Sequence, residues 1–206
     1  MLELTLSLGA TVLTLMKLRA IYASVTKKEN RNPIDPVAWI IWAILSVVML
    51  APQIADVGWQ WALMLSCANL FVNLTVIWLA RKHDMHWPDA NGWIMLGIAG
   101  LGMVLWAWQK DAAYGLAFCI TADATGVWRM IQKVWHNPNP EPPSAWFLGA
   151  GASALALVSA ALSGEAMVWW YPLYAVVNAL SIAVVILARR DTTTSSPLAN
   201  PAGEAA

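Results

Sequence analysis

Charge is what this chain has least of. Asp, Glu, Lys and Arg make up 12% of its 206 residues, where a soluble domain carries about 25%. That leaves too little polar side chain to cover a globule in water, so lipid is the solvent that fits. Acids and bases cancel at twelve each, and no basic block or nucleic-acid motif is present, which sets nucleic acid aside as a partner. Cysteine occurs only twice. Cys67 and Cys119 fall inside apolar stretches and read as small buried side chains rather than a disulfide. Ser-His-Asp and Cys-His sets and a phosphate-cradling glycine loop are all missing, so enzyme chemistry has no foothold and no cofactor is implied. His83 and His86, with Asp84, offer too few ligands for a structural zinc site, which takes about four, and His136 stands alone. No metal is expected. Positive charge is also lacking before the first apolar stretch, where Glu3 stands. Lys17 and Arg19 come later, the reverse of a cleavable secretory signal, so this stretch is expected to stay as a first span.

Apolar length is abundant, at 59% hydrophobic residues. A helix needs about 20 residues to cross the hydrocarbon core. Apolar segments of that order run over Leu2–Val25, Pro36–Ala55, Trp59–Ala80, Gly92–Trp108, Ala112–Val134, Ser144–Leu162 and Ala166–Ala188. Turn-forming residues separate them: Asn32-Pro33, Pro52, Trp87-Pro88, Asn137-Pro138 and Ser163-Gly164. The expectation is an all-α integral membrane protein with seven transmembrane helices. Lys27, Lys28, Arg31, Arg81, Lys82, Lys133, Arg189 and Arg190 crowd one side. The other side holds Asp56, Asp111, Glu165 and Lys110. Eleven of the twelve basic residues belong to the first side or its adjoining helix ends. The positive-inside rule makes that side cytoplasmic. The N-terminus is then outside, the C-terminus inside, and the cell inner membrane is the expected location.

Fourteen tryptophans invite a functional story, but their positions favour interfacial belts. Trp39, Trp42, Trp78, Trp87, Trp93, Trp128, Trp135 and Trp146 lie near cytoplasmic helix ends. Trp59, Trp61, Trp106, Trp108, Trp169 and Trp170 lie near external ones. Trp42, more than a turn inside its span, is the best placed to face a cavity.

An internal repeat is legible. Asn32-Pro33-Ile34-Asp35-Pro36-Val37-Ala38-Trp39 recurs as Asn139-Pro140-Glu141-Pro142-Pro143-Ser144-Ala145-Trp146, 107 residues on. Leu79-Ala80-Arg81-Lys82 is echoed by Leu187-Ala188-Arg189-Arg190. The implied plan is 3+1+3, parallel repeats of triple-helix bundles related by an axis along the membrane normal. Residues 1–82 form the first bundle, 83–110 a linker helix and loop, and 111–190 the second bundle. Residues 191–206 are a cytoplasmic tail of Thr, Ser, Pro and Ala, expected to be disordered.

On these residues, and on Trp170-Tyr171-Pro172-Leu173-Tyr174 opening the seventh span, the chain resembles the PQ-loop/SWEET superfamily of seven-helix membrane carriers. It looks closest to a bacterial branch. The Pro-Gln that names the family stands here only at Pro52-Gln53, in span two, and spans one and five contain no proline. The resemblance implies a facilitator moving a small polar metabolite, such as a sugar, by alternating access. A nucleoside or vitamin is the competing solute, and a receptor-like or structural subunit the competing role. It also implies that asparagines of spans three and seven line the pocket, here Asn69 or Asn73 and Asn178.

Polar residues recur on helix faces that lipid should forbid. Span one carries Ser7, Thr11, Thr14 and Lys17; span three Ser66, Asn69 and Asn73; span seven Tyr171, Tyr174, Asn178 and Ser181. Span two offers Trp42, Ser46, Met49 and Gln53, and span five Thr121, Asp123 and Thr125. Such stripes suit a wet axial cavity, or they join helices through hydrogen bonds. Asn69, Asn73, Asn178, Tyr174, Ser181 and Trp42 are the candidate solute ligands. Asp123 is the sharpest residue, roughly 18 Å deep at 1.5 Å per residue, where an unpartnered carboxylate costs about 3 kcal/mol or more. The repeat places Lys17 near its level. The two could gate as an ion pair, Asp123 could carry a proton during transport, or the pair could statically lock the bundles. The expected partners are a small polar solute and the lipid bilayer, with homo-oligomer formation left open.

Overall fold

The computed structural model describes residues 1–26, 36–81, 90–109, 112–138, 141–164 and 166–194, and these are helical throughout apart from short connections. Helix α1 covers Leu2–Thr26, α2 Pro36–Val57, and α3 Met64–Ala80 behind a 3-10 turn at Trp61–Leu63. The others are α4 (Ala90–Gln109), α5 (Ala112–His136), α6 (Pro143–Ser163) and α7 (Ala166–Thr194). Local chemistry sets these bounds. Pro36 and Pro143 open their helices, where a missing N–H breaks no hydrogen bond. Gly164 closes α6 in the left-handed region at φ 77°, a conformation costly for residues with a Cβ. Helix α7 continues through Asp191 to Thr194, beyond the bound at residue 190 expected for the second bundle.

Among the described residues, five segments are long and apolar enough to cross a membrane: Leu2–Ala23, Ala38–Ala55, Trp61–Leu79, Pro143–Ser163 and Val168–Arg190. Helix α5, which carries Asp123, Arg129 and Lys133, is not among them. The outer surface agrees with a lipid solvent. Leu8, Val12, Phe71, Leu74, Val158, Val177 and Val184 are all exposed, whereas soluble monomers rarely show large contiguous apolar patches.

The helices close into a ring. Helix α1 packs on α3, α3 on α2, α2 on α5, α5 on α7, α7 on α6, and α6 back on α1. Helix α4 stands outside this ring, against α5 and α2. Two seams join the N-terminal to the C-terminal trio, and they differ in kind. Between α1 and α6 the residues are small: Ala10, Ala152 and Ala156 are buried together, and Ser7 and Ser159 share a hydrogen bond of 3.0 Å. A Cβ on Gly151 would lie 3.3 Å from Leu13, so the side chain fills the space the glycine leaves. Small residues let helices approach closely where no hydrophobic effect drives them together. Between α2 and α5 the seam is bulkier, with Ile41, Leu45 and Met49 packed on Cys119 and Ala122.

The connection from α5 to α6 is strapped by basic residues. Lys133 binds Glu141 at 2.8 Å, and Arg190 donates to the carbonyls of Glu141 at 2.7 Å and Pro138 at 3.3 Å. Arg189 donates to the Trp135 carbonyl at 2.9 Å and lies over its ring. Lys27, Lys28, Arg31, Lys82, His83, Asp84, His86 and Lys110 lie outside the described residues.

The tryptophans divide. Trp59, Trp61, Trp78, Trp93, Trp108, Trp128, Trp135 and Trp170 are exposed on the outside, as belt residues should be. Trp39 and Trp146 are not belt residues: each is only 5% exposed. Trp39 meets Trp42 edge-on at 5.1 Å, and Trp42 meets Trp146 at 6.1 Å. Closeness to a helix end fixes a residue's height but not its face, and these two face inward.

Candidate functional site

Polar side chains converge where the ring helices are at mid-length. Helix α1 contributes Lys17, α2 Trp42 and Ser46, α3 Asn69 and Asn73, α5 Asp123, α6 Ser153, and α7 Tyr171 and Asn178. They line a cavity of about 70 Å³, room for about five water molecules on that measure. Both trios contribute to its wall.

Asp123 is its centre. The carboxylate, on a residue 8% exposed, accepts a hydrogen bond from Asn178 Nδ2 at 3.0 Å. A carboxylate only accepts, so the amide must turn its nitrogen toward Asp123. Asn178 Oδ1 is thereby left buried without a partner. The Trp42 Nε1–H and the Tyr174 hydroxyl face the same carboxylate. Leaving a buried polar atom unpaired costs about 1–3 kcal/mol, so the free Asn178 oxygen marks a place that would take a further donor. On the other wall, Asn73 donates to Ser46 Oγ over a long 3.4 Å, and Ser46 donates to the Trp42 carbonyl at 2.7 Å.

Lys17 supplies the opposite charge. Its ammonium lies 5.2 Å from the Trp146 ring centre and 5.9 Å from that of Trp39, within cation–π range. Its stem passes over Gly149, where a Cβ would be 3.7 Å from Lys17 Cδ. Lys17 and Asp123 share the cavity, yet no direct salt bridge joins them. The ammonium rests against aromatic faces, with the Asp123 and Glu141 carboxylates nearby but not in direct salt-bridge contact.

Among the residues singled out from sequence, Lys17, Trp42, Asn69, Asn73, Asp123 and Asn178 thus meet in one cavity, with the Tyr174 hydroxyl beside Asp123. Ser181 does not. It is exposed, and its hydroxyl bonds the Val177 carbonyl of its own helix at 2.7 Å. Three residues past Asn178 is about 60° around the helix, enough to leave the inner face. The hydroxyl stripes also behave locally: Thr11, Thr14 and Thr121 each bond a carbonyl one turn back. The α6 contribution of Trp146, Gly149 and Ser153 was missed. Ser153 is a lone polar residue among alanines, and Trp146 carries the same signature as a belt residue.

Among the described residues no group of three or more His, Cys, Asp or Glu gathers as a metal site would. The cavity offers binding groups of both charge signs. The chain matches no protein-family model, no curated protein and no solved structure.

Proposed function

We propose that this protein is a membrane carrier that moves a small polar metabolite by alternating access between two three-helix bundles, α1–α3 and α5–α7. The observation that carries the reading is the cavity inside the ring, polar at mid-height, lined from both bundles and holding an acid, a base and a buried, unpartnered amide oxygen on Asn178. Seven spans in a 3+1+3 plan of parallel repeats fit the helix order. In each trio the third helix packs between the first and second. Trp39 and Trp146 each stand fourth in their helix. Helix α5, less apolar than the other ring helices, would cross between α2 and α7, its charge turned inward at Asp123.

The two seams suggest how such a carrier would move. Small residues between α1 and α6 give a close, continuous contact suited to a fulcrum. The α2–α5 seam and the Trp39–Trp42–Trp146 cluster supply bulky parts that must separate to open the cavity. By the basic-residue asymmetry, that cluster lies toward the cytoplasm of an inner-membrane protein with its N-terminus outside.

One observation favours a non-transporting role on the same scaffold, receptor-like or structural: most of the Ser and Thr hydroxyls are satisfied within their own helices. Counterflow in proteoliposomes with a panel of labelled sugars, nucleosides, vitamins and amino acids separates the two. Accumulation of one solute class that is lost in Asp123→Asn supports the carrier. No flux of any solute from a folded, correctly inserted protein removes it.

A further inference from the structure

The cavity is not merely polar; it holds one acid and one base that decline to pair with each other. A buried charge without a counter-charge is costly, and two of opposite sign in one small cavity would relieve each other if they touched. Helices α1 and α5 hold them apart instead, Lys17 against the faces of Trp39 and Trp146 and Asp123 against Asn178. A net-neutral solute with separated charges would satisfy both. A neutral polyol would leave each charge unpaired, and a singly charged solute would leave one.

The unpartnered atoms sort the same way. Around Asp123 the free capacity is for accepting hydrogen bonds: the carboxylate itself and Asn178 Oδ1. Those acceptors match the three-donor geometry of an ammonium group. The donor at the other end of the cavity is the Lys17 ammonium, suited to a carboxylate. The volume, about 70 Å³, corresponds to about five waters. That is the scale of glycine or alanine.

We infer that the cavity binds a small zwitterionic α-amino acid, its ammonium at Asp123 and Asn178 and its carboxylate at Lys17. This inference rests on the reading of the cavity as a solute site, but binding and transport can fail separately.

The test uses the full chain in lipid nanodiscs, with binding of labelled glycine and alanine measured directly and competed by methylamine, acetate and glucose. Methylamine and acetate each carry one half of the recognised charge pattern. Glycine or alanine should bind at least about thirtyfold more tightly than either half, because each half leaves a buried charge unpaired. Asp123→Asn should lose glycine and gain in preference for acetate over glycine, and Lys17→Gln should shift the preference toward methylamine. A misfolded protein could show neither switch. Glycine binding without counterflow would leave the inference standing and remove the carrier reading. Counterflow of another solute that glycine and alanine do not compete would do the reverse. Neither binding nor flux overturns both.

Discussion

Asn178 gives its side-chain amide to the carboxylate of Asp123 at 3.0 Å, tying the middle of α7 to the middle of α5. The bond has direction: the amide nitrogen serves the acid, and the amide oxygen is left over, buried and unsatisfied. One contact thus joins two ring helices and orients a free acceptor.

That direction makes a reversal test. Asn178→Asp would set two carboxylates about 3 Å apart, where both cannot ionise cheaply. Thermal unfolding in detergent should fall by several degrees. Asp123→Asn alone keeps an acceptor opposite Asn178 and should unfold within a few degrees of the parent. The double swap, Asp123→Asn with Asn178→Asp, should recover most of the lost stability, since the two positions couple directly. Additive losses in the swap would show that the bond does not join the helices as described.

Gly126 and Gly149, each set against a side chain of the cavity, should respond unequally to the same added methyl. A Cβ on Gly126 would sit 3.3 Å from Trp42 Nε1, tighter than ordinary contact, while one on Gly149 would sit 3.7 Å from the flexible stem of Lys17. Gly149→Ala should be near neutral in unfolding temperature. Gly126→Ala should cost up to about 1 kcal/mol and Gly126→Val about 1–3 kcal/mol, through overpacking of the α2–α5 seam. Tryptophan fluorescence should move with Gly126→Val and not with Gly149→Ala. Equal responses would argue against the Trp42–Gly126 contact.

The helix bounds were legible because hydropathy, Pro36, Pro143 and Gly164 act locally, and a helix in lipid must satisfy its own backbone. Asp123, Asn178 and Trp42 were legible as anomalies, since each is costly where its span places it. Their meeting was not. It depends on α7 packing between α5 and α6, an order that no local pattern encodes. Trp39 and Trp146 were misplaced because an indole near a helix end looks the same whether it faces headgroups or the core. Ser181 leaves the cavity because a three-residue step turns it about 60° off the inner face.

The strap over the α5–α6 connection should govern its exposure. Arg190 holds the carbonyls of Pro138 and Glu141, and Lys133 holds the Glu141 carboxylate. Arg190→Gln removes the carbonyl contacts and should speed limited proteolysis between residues 136 and 143 without shifting global unfolding by more than about 1 kcal/mol. Glu141→Lys should resemble it, and Lys133→Glu with Glu141→Lys should restore protection. A half-buried ion pair of this kind contributes about 1 kcal/mol or less, so the expected readout is local. Unchanged cleavage in Arg190→Gln would sink the strap.

The division of the tryptophans predicts a division of costs. Trp146 packs on Trp42 at 6.1 Å and under the Lys17 ammonium at 5.2 Å, with 5% of its surface exposed. Removing such a ring leaves a cavity and strips a cation of its aromatic neighbour. Trp146→Ala and Trp39→Ala should each cost about 3–5 kcal/mol. Trp78, Trp128 and Trp170 are 56%, 60% and 47% exposed, and in lipid their outer faces have no cavity to leave. Alanine there should cost under about 1 kcal/mol, with the loss appearing as weaker anchoring at the interface. Measured by denaturant unfolding in one detergent, the two groups should not overlap. If Trp146→Ala unfolds like Trp128→Ala, the inner cluster does not carry the packing assigned to it. The closure of the cavity on that side would then need another explanation.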